Sequence, residues 1–309
     1  MTSVSTPALL VLNGATASGK SALAVRLAQQ MRAAGQPAEI VNADSMLVYR
    51  GMDIGTAKPT AAERGGIVHH LIDVLNVTDT ATVATFQGLA RAAIADCRAR
   101  AVVPILVGGS ALYVHAIVDE FHFPGTDPAV RARLEGELDE LGADTLYQRL
   151  TELSPTAAAG IQPNNGRRIV RALEVIELTG SWTPSLPQWA YALPDVVQYG
   201  LELPREVLDE RIAARVEQMW AAGLLAEVRA LERQGLRTGL TASRALGYRQ
   251  ALAQLDGELT EQQAKEQTAA ATRRFARKQL GWFRRDPRIE WLPADDPGLA
   301  EHLASTLWV

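Results

Sequence analysis

Apolar runs and helical stretches alternate through the first third of the chain. Ala8 to Leu12 is continuously apolar, which predicts a strand buried on both faces. Ala22 to Ala28 follows with helical spacing. Glu39 to Ala43 predicts a second strand that ends at Asp44, and a loop from Ser45 to Pro59 carries Gly51 and Gly55. His70 to Val74 reads as a third strand and Phe86 to Arg100 as an alanine-rich helix. Val102 to Val107 reads as a further buried strand, running into Gly108-Gly109-Ser110. Strand and helix in alternation imply a parallel sheet covered by helices.

The pattern changes after about Glu120. Asp127-Pro128 has the form of a helix start, with Arg131, Leu134, Leu138 and Leu141 at helical intervals. Further helices are predicted over Asp144–Leu153 and Asn165–Leu178, the latter stopped by Gly180. Trp182 to Pro194 reads as a loop, and Val196 to Leu203 alternates like a strand that returns to the sheet. The remainder reads as mainly helical: Arg205–Ala222, Leu224–Gln234, Ser243–Leu255 and Glu261–Arg285. The expectation is a core of residues 1–119 and 196–309, with a helical insertion over residues 120–195.

Composition narrows the class. With 309 residues and 47% hydrophobic content, the chain can bury a sizeable core. Its longest apolar runs are far too short to span a bilayer, so no membrane association is expected. Met1 to Pro7 lacks the pattern of a secretory signal and reads as a frayed tail. A single cysteine, Cys97, rules out an intramolecular disulfide and any zinc finger of paired cysteines. These features fit a cytoplasmic enzyme. His69 and His70 are adjacent, but no partner set of zinc spacing accompanies them, so a strand start is the better reading. The net charge of −4 hides a basic region: Arg273, Arg274, Arg277, Lys278, Arg284, Arg285 and Arg288 are opposed locally by Asp286 alone.

Gly14-Ala15-Thr16-Ala17-Ser18-Gly19-Lys20-Ser21 fits G-x-x-x-x-G-K-[ST], placed between a predicted strand and a predicted helix. Such a turn aims backbone N–H groups at a phosphate, and the helix N-terminus adds partial positive charge. Lys20 would neutralise phosphate oxygens, and Ser21 would complete the shell of a Mg²⁺ ion. The expected fold is therefore α/β, a parallel sheet flanked by helices like that of phosphate-loop NTPases, plus the helical insertion. A kinase or ATPase of this type carries an acid at the end of a second strand. Here Val107 is followed by glycines, and the strand-end acid is Asp44. Ligands in open parallel sheets bind beyond the carboxyl ends of strands, which places Asp44 near the loop. By position alone it can hold metal, act as a base, or cap a turn.

The stretch from Asn42 to Pro59, with Asp44-Ser45, Tyr49 and Gly51-Met52-Asp53-Ile54-Gly55-Thr56-Ala57-Lys58-Pro59, resembles the signature of tRNA dimethylallyltransferases. The glycine-rich loop resembles theirs too. So do the blocks Leu106 to Tyr113, Arg167 to Glu174 and Arg244 to Arg249, in the same order. Two departures stand out: Ala15 replaces the usual proline and Ser110 the usual threonine. The resemblance implies transfer of a dimethylallyl group from dimethylallyl diphosphate to the exocyclic amine of adenosine 37, beside the anticodon. The loop residues Gly14 through Ser21 would then hold an isoprenoid diphosphate.

The resemblance implies catalytic roles for Asp44 as general base and for Thr16, Lys20 and Arg215 around the diphosphate, with Mg²⁺ on Ser21. It implies tRNA contacts from Asp44, Ser45, Met46 and Leu47, from Ser110, and from Arg244, Gly247, Tyr248 and Arg249. In the insertion it implies Arg131 and the block Arg167-Arg168-Ile169-Val170-Arg171. Arg167, Arg168 and Arg171 share a helix side at these spacings and could grip phosphates, as could Lys278 and Arg284 near Trp282. The alternative for each cation is pairing with acids such as Glu174 and Glu177. Trp282 and Phe283 read as core. The expected partners are the tRNA anticodon stem-loop and dimethylallyl diphosphate, and the expected state is a monomer. Three rivals stand: a prenyltransferase acting on free adenine nucleotides, an ATP-dependent kinase, and a non-catalytic RNA-binding ATPase. The basic helices and the insertion favour tRNA over a free nucleotide.

Overall fold

A computed structural model describes residues 8–182 and 189–306. The N-terminal tail and the middle of the expected 182–194 loop lie outside the described residues. The chain divides into two compact units, Glu120–Ala190 and the remainder on either side of it. Residues 191–195, expected in the insertion, belong to the sheet unit.

The sheet unit begins with β1 (Leu9–Gly14), α1 (Lys20–Ala33), β2 (Ala38–Asn42), β3 (His69–His70), α2 (Val83–Ala99), β4 (Val103–Gly108) and α3 (Ala111–Val118). The insertion holds α4 (Pro128–Leu153), α5 (Pro155–Ala159) and α6 (Gly166–Thr179). The chain then adds β5 (Val196–Glu202), α7 (Arg205–Ala221), α8 (Leu224–Glu232), α9 (Tyr248–Leu255), α10 (Glu261–Phe283), β6 (Glu290–Pro293) and α11 (Leu299–Thr306). The six strands order as β3-β2-β4-β1-β5-β6, and every pairing is parallel. A parallel sheet needs cover on both faces, which explains the unbroken apolar runs in β1 and β4. Leu9 and Val11 of β1 pack into a core with α2, α3 and α8–α10, while Leu10 and Leu12 pack against α1 and α11.

Four expectations change. β3 is only two residues long, because Leu71 and Asp73 take left-handed φ values of 61° and 57° that end an extended strand. The helix expected over Ser243–Leu255 starts at Tyr248; Gly247, at φ 87°, turns the chain after a short 3-10 turn at Ala242–Arg244. β6 and α11 were not expected at all. In the insertion, the expected pair of helices around Leu141 and Asp144 meets at Gly142, whose φ of 82° and ψ of 165° kink α4.

The insertion has its own apolar core of Leu134, Leu146, Leu150, Ile169 and Val170, joined by Leu173. Ile169 and Val170 therefore lie inside it, and their side chains present no surface to RNA, a correction to the expected contact block. Glu174 is fully buried there and accepts bonds from Arg131, Arg171 and Thr126. Burial alone would raise its pKa; the two guanidinium groups and the threonine hydroxyl overcome that and hold it at about 2. Arg131 and Arg171 are thus committed to an internal charge, whereas Arg167 and Arg168 are exposed.

A second buried charge set closes the sheet unit. Arg288 bridges Asp119, at 2.6 and 2.8 Å, to Asp286, and its guanidinium stacks 4.0 Å over Tyr191. Asp119 is fully buried, with His115 3.2 Å away. Arg288 therefore leaves the basic cluster read from the sequence. Removing one partner of such a set strands a buried charge, so Arg288→Ala should destabilise the sheet unit by about 3–5 kcal/mol. Urea denaturation followed by circular dichroism measures this, and an unchanged midpoint would contradict the assignment.

Candidate functional site

The glycine-rich loop leaves β1 at the centre of the sheet and enters α1. Its backbone is not relaxed: Ala17 sits at φ 63°, a left-handed conformation that costs an alanine on the order of 1 kcal/mol. The return is direction. Gly19 caps α1 without a side-chain bond, and among the described residues the N–H groups of Ala17, Gly19 and Lys20 meet no protein acceptor. These are the orphan donors of a helix start, which favour an anion. Ser18 Oγ is buried beside them without a hydrogen-bond partner. Thr16 N–H is already taken by Gln279 Oε1 at 2.9 Å.

Lys20 is buried, and its Nζ donates to Ala15 O at 2.6 Å. Burial lowers its pKa to about 8; Asp44 pushes the other way, and Arg215 adds to the lowering. Lys20 is therefore close enough to Asp44 and to Arg215 to feel the charge of each. Arg215 on α7 is half-buried, and burial lowers its pKa while Glu63 opposes this. Arg211, one turn earlier, reaches to 4.0 Å from where a Cβ on Gly19 would stand. The loop thus lies among three cations and one carboxylate.

Asp44 reaches this place through a strand that does not touch β1. β4 lies between β1 and β2. A Cβ on Gly108, the last residue of β4, would fall 2.6–2.9 Å from atoms of Ala43, so only glycine fits. The missing acid after Val107 has this steric reason: the position is filled by the backbone that presents Asp44. Asp44 Oδ1 accepts from Met46 N at 2.8 Å, and Asn42 braces the turn by bonding both Asp44 N and Asp44 O. Ser45, Met46 and Leu47 follow as a half-buried turn, and Ser110 is half-buried just before α3. Ser21 is exposed in the first turn of α1, and its hydroxyl makes no bond to the described protein.

The signature stretch beyond Tyr49 is structural. Glu227 of α8 accepts from the backbone N–H groups of Asp53, Ile54 and Gly55 and from Tyr248 Oη at 2.5 Å. Lys58 is buried and donates to Tyr49 O, Asp53 and Asp73. Tyr248 is fully buried against Gly55, with its pKa raised by burial and by Glu227. It is packed under the loop, so its side chain cannot meet RNA, and Gly247 beside it is buried as well; this corrects the expected contacts. Arg244 and Arg249, either side of it, are exposed.

Gln279 and Glu227 belong to no chemical motif, and sequence reasoning missed both. Gln279 of α10 donates to Gly109 O at 2.8 Å while accepting from Thr16 N–H, so one amide ties the loop to the glycine turn after β4. Its one trace in the sequence is a neutral residue between Lys278 and Leu280 in a strongly basic helix. Lys278 and Arg277 are exposed on that helix, Arg284 pairs with Glu202 at 3.6 Å and lies 5.8 Å over Trp291, and Trp282 is half-buried under Arg285.

The chain is similar to known proteins along most of its length. A model of the IPP transferase family matches residues 47–286. The tRNA dimethylallyltransferase of Kineococcus radiotolerans is 62% identical over 290 residues, covering 93% of this chain and 91% of that protein. That of Thermobifida fusca is 60% identical over 294 residues, covering 95% and 92%. Among solved structures, the tRNA isopentenylpyrophosphate transferase of Bacillus halodurans superposes with a TM-score of 0.70 at 37% identity, covering 97% of this chain and 95% of that one. A eukaryotic dimethylallyltransferase acting on tRNA gives a TM-score of 0.80 at 27% identity, covering 97% and 77%. With a family model spanning most of its length and relatives this similar along nearly all of it, the chain belongs to the IPP transferase family.

Proposed function

We propose that the chain transfers the dimethylallyl group of dimethylallyl diphosphate to the exocyclic N6 amine of adenosine 37 in the anticodon stem-loop of tRNA, acting as a cytoplasmic monomer. The observation that carries the reading is the meeting of Lys20, Arg215 and the donor-lined loop with one carboxylate, Asp44. A phosphate-loop kinase or ATPase holds its metal with an acid at the end of a second apolar strand; here β4 ends in Gly108 and the carboxylate comes from the end of β2.

The donor's diphosphate lies on the free N–H groups of the glycine-rich loop, with Lys20 and Arg215 beside it. As the C1–O bond breaks, the electron pair leaves with the diphosphate, and these fixed donors and cations stabilise the growing charge. Positive charge on C1 spreads over the allylic double bond. The N6 amine attacks C1, forming the N–C bond, and passes a proton to Asp44. Thr16 and Ser45 offer hydroxyl groups at the edges of this space. Ser21, exposed and unbonded, is the residue that would hold Mg²⁺; an oxygen donor suits that hard cation, which when bound neutralises diphosphate charge. The target base must leave its stack to enter, and unstacked loop bases are what RNA readers grip. Arg244, Arg249, Arg277 and Lys278 are exposed for phosphate contacts on the sheet unit, and Arg167 and Arg168 on the insertion.

The test is incubation of unmodified tRNA with the protein, Mg²⁺ and dimethylallyl diphosphate, followed by nucleoside digestion and mass spectrometry, with AMP as a parallel acceptor. Prenylated adenosine from tRNA alone supports the reading; product from AMP alone overturns the RNA substrate. Asp44→Ala should lower turnover by more than about a hundredfold with tRNA binding kept. Because Oδ1 also caps Met46, Asp44→Asn separates the roles: it keeps the cap and should be as slow, so near-normal turnover in it would remove the base assignment. Lys20 in the free protein loses its charge as pH rises through about 8. kcat/KM for the donor should therefore fall on that alkaline side. In Lys20→Met, donor KM should rise and the pH limb should vanish; persistence of the limb would assign it elsewhere.

A further inference from the structure

At the β3 edge of the sheet, three side chains from three elements converge. Glu39 comes from β2, His70 from β3 and Cys97 from the last turn of α2. His70 Nε2 lies 2.7 Å from Glu39 Oε2, Cys97 Sγ lies 3.5 Å from that same oxygen, and Sγ lies 3.7 Å from Nε2. In the linear sequence these residues share no metal spacing, and the two histidines alone read as a strand start. The parallel pairing of β2 with β3 and the packing of α2 bring the ligand atoms together.

We infer that Glu39, His70 and Cys97 form a binding site for a borderline-soft divalent cation, zinc, with solvent as the fourth ligand. The triangle is the first support. Tetrahedral zinc with Zn–S about 2.3 Å and Zn–N or Zn–O about 2.0–2.1 Å sets ligand edges of about 3.5 Å to sulfur and about 3.3 Å between nitrogen and oxygen. The two edges to sulfur already have this length, and only the His70–Glu39 edge must open, by roughly half an ångström. The donor set is the second support: thiolate, imidazole and carboxylate together suit zinc, and the thiolate disfavours magnesium or calcium. Two anionic ligands and a neutral histidine balance the ion's charge.

Arg100 also touches this carboxylate, with Nη1 on Oε1 at 2.8 Å and Nη2 on Oε2 at 2.7 Å. Its side chain is partly exposed and is held as well by Asp96. With an ion on Oε2, Arg100 keeps Oε1 and Asp96, the outer-shell role that ligating carboxylates commonly require. A plain Arg–Glu pair would not need a histidine and a thiol aimed at the same oxygen. Cys97 is buried, which shields its sulfur from reagents in solution. The site would pin β3, held by two residues alone, to β2 and α2.

Cys97 is the only cysteine, which makes the test unambiguous. Tag-free protein is titrated with Co²⁺ and then Zn²⁺. The expected result is a near-ultraviolet thiolate-to-cobalt charge-transfer band that saturates at one ion per chain and is abolished by Zn²⁺. His70→Ala and Glu39→Gln should each weaken Co²⁺ binding by tenfold or more, with the circular dichroism spectrum unchanged. Absence of the band at excess Co²⁺, or a band of unchanged affinity in both variants, overturns the site. Should a variant fail to fold, X-ray absorption of the zinc-loaded wild-type protein decides: one sulfur with lighter ligands supports the site, and a shell without sulfur overturns it.

Discussion

The close approach of Gly108 to Ala43 is the contact on which the site depends. β1 and β2 are not neighbours, so the loop after one and the acid after the other would be held apart by the width of a strand. β4 fills that gap but ends in a residue without a side chain, and the backbone after β2 lies directly against it. The carboxyl ends of three strands can then share one space. A side chain of any size at position 108 would have to displace the turn that Asn42 braces and with it the carboxylate that the turn presents.

Electrostatics follow from this closeness. A lysine buried without a counter-charge would lose its proton well below neutrality. Asp44 offsets part of that cost and the positive neighbour Arg215 adds to it. Elsewhere the molecule treats buried charge in the opposite way, by closing it off: Glu174 and Asp119 are each satisfied by arginines inside the fold. Arg131, Arg171 and Arg288 are thus spent on internal carboxylates, whereas Lys20 and Arg215 are not paired in this way.

That division marks the limit of what could be read from the chain alone. The glycine-rich loop, its flanking strand and helix, and the strand-end Asp44 are legible because their information lies in consecutive residues or in apolar runs. Strands β1, β2, β4 and β5 are legible for the same reason, while β3 is shorter than its apolar run suggests because two left-handed residues leave no trace in hydrophobicity, and β6 is too short and too exposed to stand out. Partners far apart in sequence were not legible. Arg131, 43 positions from Glu174, and Arg288, 169 from Asp119, look like surface cations until those acids are seen beside them, and Tyr248 reads as an RNA contact until Gly55 and Glu227 enclose it. Gln279 and Glu227 are ordinary helix residues by every local measure; their bonds span 263 and up to 174 positions.

The bond from Thr16 to Gln279 has one more consequence. A backbone N–H has a single hydrogen to give, and in this loop the one on Thr16 is given to a glutamine on a helix that arrives from the other end of the chain. The loop therefore offers an anion fewer donors than its eight residues suggest. In exchange, Arg277 and Lys278 sit on the helix whose Gln279 holds the loop: a shift of α10 along its axis must either break one of these two bonds or carry Thr16 or the carbonyl of Gly109 with it.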